Sequence, residues 1–143
     1  MVPTIHLTVY EYPSIYGLSS PKFTCAMYVE NGIEKYILVF GTASIVGADT
    51  VYINDIEKQT MTTIENILLL LSQSNLQRYG IRQLEENRKI IKAYIKRWDD
   101  YQIVKKICQE KFGARDIAYL QCDICRKDLL VEMEAVVFLS GTE

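Results

Sequence analysis

The sequence predicts one α/β domain, α+β in its arrangement, in which two amphipathic helices lie on one face of a six-stranded mixed sheet. Three observations lead there. Apolar and polar residues alternate through several short stretches, two longer stretches repeat apolar residues at helical spacing, and the order of these segments is β-β-β-α-β-α-β-β. A length of 143 residues, 49% of them hydrophobic and 24% charged, suits a single core for residues 1–143.

The first strand is expected over residues 4–10, where Ile5, Leu7 and Val9 alternate with His6 and Thr8. Residues 11–21 contain Pro13, Ser14, Gly17, Ser19, Ser20 and Pro21 and read as a loop. Two apolar runs, 23–29 and 35–40, flank Glu30-Asn31-Gly32, and the Asn-Gly pair predicts an antiparallel hairpin. The small residues from Gly41 to Gly47 then suggest a loop with close backbone packing. From Asp55, a suitable N-cap, Ile56, Met61, Ile64, Ile67, Leu68 and Leu71 predict a helix reaching about Ser74, with Glu57, Lys58, Thr62, Glu65 and Gln73 on its outer face. The run Leu68 to Leu71 reads as helix core. Residues 77–86 are polar, contain Gly80 and form a connection, and residues 89–95 read as a strand. Asp99 is expected to cap the second helix, in which Ile103, Val104, Ile107 and Phe112 share a face and which Gly113 ends. Two strands close the chain, over 117–124 and 129–139. In the latter Leu129, Val131, Met133 and Ala135 alternate with Leu130, Glu132, Glu134 and Val136.

Charge and composition exclude several classes of function. Sixteen Lys and Arg are mixed with eighteen Asp and Glu, the net charge is −2, and the pI is near 5.5, so no basic footprint for nucleic acid is present. The most apolar run, 64–71, is interrupted by Glu65 and Asn66 and is too short to cross a bilayer. The N-terminus lacks the basic and apolar blocks of an export signal, so a cytoplasmic location is expected. Cys25, Cys108, Cys122 and Cys125 are too few for a secreted disulfide framework and read as reduced thiols. Cys122 and Cys125 form a C-x-x-C, but the other cysteines stand singly and the lone His6 is distant, so no metal is expected. The Gly41 to Gly47 segment lacks phosphate-loop spacing, and no cofactor is expected.

Among residues able to do chemistry, Glu132 stands out because it sits among apolar neighbours in an alternating strand. A carboxyl group drawn partly out of water there would hold its proton and serve as a general acid. The plainer alternative is a solvent-facing residue paired with a lysine across the sheet. Glu134 shares its face by the two-residue period. Cys125 is either an inert packed thiol or a pocket-lining residue, and no histidine accompanies it as a nucleophile's base. Ten tyrosines, Tyr10, Tyr12, Tyr16, Tyr28 and Tyr119 among them, could wall a pocket or an interface. His6 falls on the polar side of its strand and reads as a surface residue.

The element order, with Gly41-Thr42-Ala43-Ser44, Gln59, Ile64-Glu65-Asn66-Ile67 and Val131-Glu132-Met133-Glu134-Ala135, resembles the RidA/YjgF family from roughly residue 23 to 138. The resemblance implies a chorismate-mutase-like fold and a homotrimer packed through its sheets, with a small-molecule cleft at each subunit interface. The family's deaminases hold a substrate carboxylate with an arginine on the penultimate strand. Here Tyr119 stands at that place, which argues against imine deamination because a phenol cannot reproduce the charged fork.

The phrases running from Gly41 to Gly47 and from Asp123 to Glu132 are also similar to the C-terminal half of the chorismatases. That likeness implies Glu132 as proton donor and Cys125, a pocket-lining residue, as the second catalytic candidate, and the two resemblances together imply Gly41, Thr42, Ala43, Tyr119 and Gln121 around the ligand. The ligand class it implies is a small carboxylated metabolite, a chorismate-like enol ether or an enamine, acted on by a hydrolase or lyase. Nothing in the sequence corresponds to the additional N-terminal half of those enzymes. A non-catalytic interaction or regulatory subunit on the same scaffold is the alternative expectation, and RNA cleavage is disfavoured by the acidic pI.

Overall fold

The computed structural model describes residues 4–7, 26–46, 49–81, 84–113, 116–124 and 126–141. Its strands are β1 (Thr4–Leu7), β2 (Ala26–Glu30), β3 (Lys35–Ala43), β4 (Ile45–Val46), β5 (Asp49–Thr50), β6 (Leu84–Ile95), β7 (Asp116–Gln121) and β8 (Val131–Gly141). The helices are α1 (Ile56–Leu70), α2 (Gln73–Arg78) and α3 (Tyr101–Phe112), the last preceded by a 3-10 turn at Trp98–Asp100. Six strands form one mixed sheet in the order β1-β2-β3-β8-β6-β7, while β4 and β5 pair separately. Only β6 and β7 run parallel, and α3 is the crossover that joins them.

One sheet face is covered. Ile37 and Val39 of β3, Ile91, Ala93 and Ile95 of β6, and Val131, Met133 and Val137 of β8 are buried against Ile64, Ile67 and Leu70 of α1 and Val104, Ile107 and Cys108 of α3. The alternate positions Tyr36, Leu38, Phe40, Ile90, Val136 and Phe138 lie on the other face. Phe40 is exposed and the other five are half-buried.

Element type follows the sequence pattern, but several boundaries do not. The Asn-Gly hairpin is antiparallel, with its four-residue turn closed by Asn31 Oδ1 accepting from the Glu34 N–H at 2.8 Å. Gly32 supplies the positive φ of 82° that this turn needs. Residues 41–43, expected in a loop, belong to β3. The predicted helix to Ser74 stops at Leu70, because Ser72 caps a separate short helix by accepting from the Asn75 N–H at 3.3 Å. That helix, 73–78, takes in the last two residues of the predicted helix and the first two of the expected connection.

The leucine run is not all core, since four consecutive residues sweep around a helix. Leu70 is buried, whereas Leu68 and Leu69 are exposed. Thr62, expected outside, is buried. Asp100 rather than Asp99 stands at the N-cap of α3, and Ile103 is exposed. Strand β6 begins five residues before the expected start at Lys89, β7 ends at Gln121 rather than Ile124, and β8 begins at Val131 rather than Leu129. The expectations for residues 8–21, Cys25, Gly47 and Cys125 lie outside the described residues. No helix among the described residues is long and apolar enough to cross a membrane.

Candidate active site

Strand β8 carries the candidate acid. Because Val131, Met133 and Ala135 point into the helix-covered core, Glu132 and Glu134 point to the open face. Glu132 lies opposite Tyr94 of β6 on one side and Ala43 of β3 on the other. Just before Ala43 the register shifts. Val39 pairs with Ala135 and Thr42 with Met133, so Phe40 and Gly41 together face Glu134 alone, a one-residue bulge.

The bulge seats Gly41 against the acid. A Cβ at Gly41 would overlap the Glu132 Oε1 and stand 3.2 Å from its Cδ. A glycine therefore leaves the room into which the Glu132 carboxyl fits. Burial, and then the neighbouring Glu134 charge, raise the Glu132 pKa above the ordinary value of 4.5. The plainer reading, a glutamate paired with a lysine, describes Glu134 instead. Lys92 Nζ lies 3.7 Å from Glu134 Oε1, and the Tyr94 hydroxyl donates to the same oxygen at 2.6 Å. That hydrogen bond pushes the Tyr94 phenol up to about 12. Beside these groups is an open depression of about 250 Å³, lined by Leu38, Phe40, Ile90, Lys92, Glu134 and Val136 among others.

Helix α1 braces β3 and the segment that leads into β8. The fully buried Gln59 donates through Nε2 to the Asp128 carbonyl at 2.8 Å and the Tyr52 carbonyl at 3.2 Å. Its Oε1 accepts from the Leu130 N–H at 2.9 Å, two residues before Glu132. About two turns further on, Asn66 Nδ2 donates to the Ala43 and Ile45 carbonyls at 3.0 and 3.1 Å. One helix thus fixes the end of β3 and the approach to β8.

Of the expected site residues, Gly41 stands beside Glu132. Thr42 turns its Oγ1 to the Phe40 carbonyl at 2.9 Å, and Ala43 packs with Ile124 and Leu129 in a small second cluster. Tyr119 and Gln121 do not join them. Paired with Ala93 and Ile95, they follow the helix-side positions of β6. The Tyr119 ring packs edge-on against Tyr101 of α3 at 5.4 Å, and its hydroxyl meets Cys108. Burial pushes the Cys108 thiol up to about 12. Strand parity separates them from Glu132: Ala118 and Leu120 are the β7 positions on the open side. The sequence reading missed Tyr94 and Lys92. Their two-residue spacing was visible, but their pairing with Glu132 and Glu134 depends on a register that no local signal encodes.

The sequence is 41% identical over 136 residues to a 3-hydroxybenzoate synthase of Streptomyces hygroscopicus, covering 90% of this chain and 40% of that protein. It is 35% identical over 136 residues to a chorismatase of Streptomyces rapamycinicus, covering 92% of this chain and 41% of that one. A solved chorismatase superposes with a TM-score of 0.78 at 28% identity, over 94% of this chain and 44% of the other. A member of the conserved Rid protein family from Yersinia pestis superposes with a TM-score of 0.66 at 20% identity, over 94% and 98% of the two chains. The chain has the RidA/YjgF fold and is a relative of the chorismatases. It spans about two fifths of the length of the curated chorismatase relatives it matches. No family model matches it. With the RidA/YjgF proteins the likeness extends over nearly the whole of both chains and is one of fold.

Proposed function

We propose that this chain carries the proton-donating half of a chorismatase-like site and hydrolyses the enol ether of a small carboxylated metabolite. The observation that carries the reading is Glu132 itself, a half-buried carboxyl with a raised pKa, fitted against a glycine on an open sheet face. An enol ether is hydrolysed when its terminal vinyl carbon takes a proton. The cation so formed is attacked by water at the ether-bearing carbon, the hemiketal loses its alcohol, and a keto acid remains. Protonated Glu132 supplies the first proton, and its carboxylate then takes one from the attacking water, which restores the acid. Relatives named chorismatase and 3-hydroxybenzoate synthase make chorismate the first substrate to try.

The ligand is enclosed between subunits of a homotrimer. Among the described residues the depression beside Glu134 is open and, at about 250 Å³, smaller than the roughly 300–1,000 Å³ of ordinary ligand pockets. Among the described residues, cations near Glu134 on this face already have acidic partners. Lys92 is engaged by Glu134, and Arg88 reaches Asp116 at 2.9 Å. A neighbouring subunit supplies the rest.

Incubation of the purified chain with chorismate, followed by chromatography for a keto acid and its aromatic or diol co-product, tests the reaction. Turnover that disappears in Glu132→Gln, with the assembly intact, is expected. Turnover unchanged by that substitution removes Glu132 from the chemistry. No turnover of chorismate or related enol ethers, with a second protein co-purifying, would instead establish a non-catalytic subunit.

A further inference from the structure

Glu132 and Glu134 are two carboxyl groups on one face of one strand, and their surroundings differ. Glu134 accepts from the Tyr94 hydroxyl at 2.6 Å and has Lys92 Nζ at 3.7 Å. Tyr94 is opposite Glu132 in the register, yet its hydroxyl crosses diagonally to Glu134. Among the described residues, no side chain donates a hydrogen bond to Glu132. Its contact from β3 is Gly41, which brings no polar side chain. Just past the end of β6, Lys96 turns its Nζ to the Lys127 carbonyl at 2.8 Å. Beyond the end of β7, Cys122 directs its thiol to the Asp123 carbonyl at 3.1 Å.

We infer that Tyr94 and Lys92 are positioning residues that hold the Glu134 carboxylate beside Glu132 and thereby make Glu132 the member of the pair that keeps its proton. The inference deepens the proposed reaction and rests on it for its purpose. Two carboxyl groups at close quarters ionise unequally when their environments differ, and the group with donors takes the charge. Here the donors converge on Glu134. The fixed negative charge then opposes ionisation of Glu132, in the same direction as burial. A strand-to-strand lock made by Tyr94 and Glu134 would explain the hydrogen bond alone, but such a lock has no reason to govern when Glu132 titrates.

The test is a carbon-13 titration of the Glu132 side-chain carboxyl in the full chain, comparing wild type with Glu134→Gln and Tyr94→Phe. Glu134→Gln keeps an acceptor for Tyr94 and removes the charge, and Glu132 should then titrate lower by about half a unit or more. Tyr94→Phe frees Glu134 to swing away and should lower it by a smaller amount. If Tyr94→Phe does not fold, Glu134→Gln still decides whether the charge matters. An unmoved Glu132 in Glu134→Gln overturns the pairing, and a Glu132 that moves there but not in folded Tyr94→Phe overturns the role of Tyr94. Where turnover is present, the alkaline fall of its pH profile should begin at lower pH in Glu134→Gln. Absence of turnover in wild type would refute the proposed reaction without touching the titration.

Discussion

A carboxyl group that leaves water on folding resists ionisation, and Glu132 does so beside a second carboxylate. The folded protein consequently binds the Glu132 proton more tightly than the unfolded chain. By linkage, the stability this provides is full below the ordinary value of 4.5 and is lost as pH rises through the folded-state value. Glu132→Gln, which has no charge to bury, should gain on wild type over that window and hold a constant advantage above it. Thermal melts of both proteins across the acid-to-neutral range check the sign. A difference that shrinks with rising pH would contradict it.

Gly41→Ala acts on the same residue differently. The atom that a new methyl group meets is the far end of a flexible side chain, so the Glu132 carboxyl can swing aside. The expected stability cost is below about 1 kcal/mol, whereas turnover should fall at least tenfold from misplacement of the acid. Urea unfolding set against initial rates separates these effects. Glu132 was legible from sequence because strand alternation alone fixes its face. Its proximity to Gly41 was not, since two strands distant in sequence and a bulge create it.

The bulge and the two braces from α1 show how elements assemble this arrangement. Gln59 has three hydrogen bonds in a fully buried position, joining the turn before α1 to the segment before β8. Gln59→Ala would leave the buried Leu130 N–H without an acceptor and open a cavity, so a loss of about 3 kcal/mol is expected from equilibrium unfolding. A cost under about 1 kcal/mol would show that water replaces the carboxamide. Element types could be read from the chain because alternation and helical spacing are local properties. The ends of elements were less accessible. Residues 41–43 look like a loop by their small side chains, yet β8 lies alongside and supplies their pairing. The placing of Tyr119 is hidden from the sequence for a related reason. The family resemblance put it at the cleft, and the register of β7 against β6 turns its ring towards α3 within the subunit.

For the whole molecule, the uneven covering of the sheet is the dominant feature. Helices bury one face, while Leu38, Phe40, Ile90, Val136 and Phe138 form an apolar stretch on the other. A contiguous exposed apolar patch with polar groups at its margin is the kind of surface that proteins use for association. Glu132 and Glu134 lie at that margin, so the same packing that hides the patch would enclose the acid and strengthen its resistance to ionisation. Assembly and chemistry are therefore coupled in the proposed trimer. Leu38→Lys places a charge at the centre of the patch without entering the helix-covered core, so the subunit fold should survive and the assembly should not. Sedimentation equilibrium should give about 50 kDa for wild type, three copies of the 16.5 kDa chain, and the single-chain mass for the variant. Circular dichroism should show the same secondary structure in both. Turnover should vanish from the variant although every residue around Glu132 is retained. A wild-type chain that sediments as a monomer would overturn the trimer, and a monomeric variant with full activity would place the complete site within one subunit.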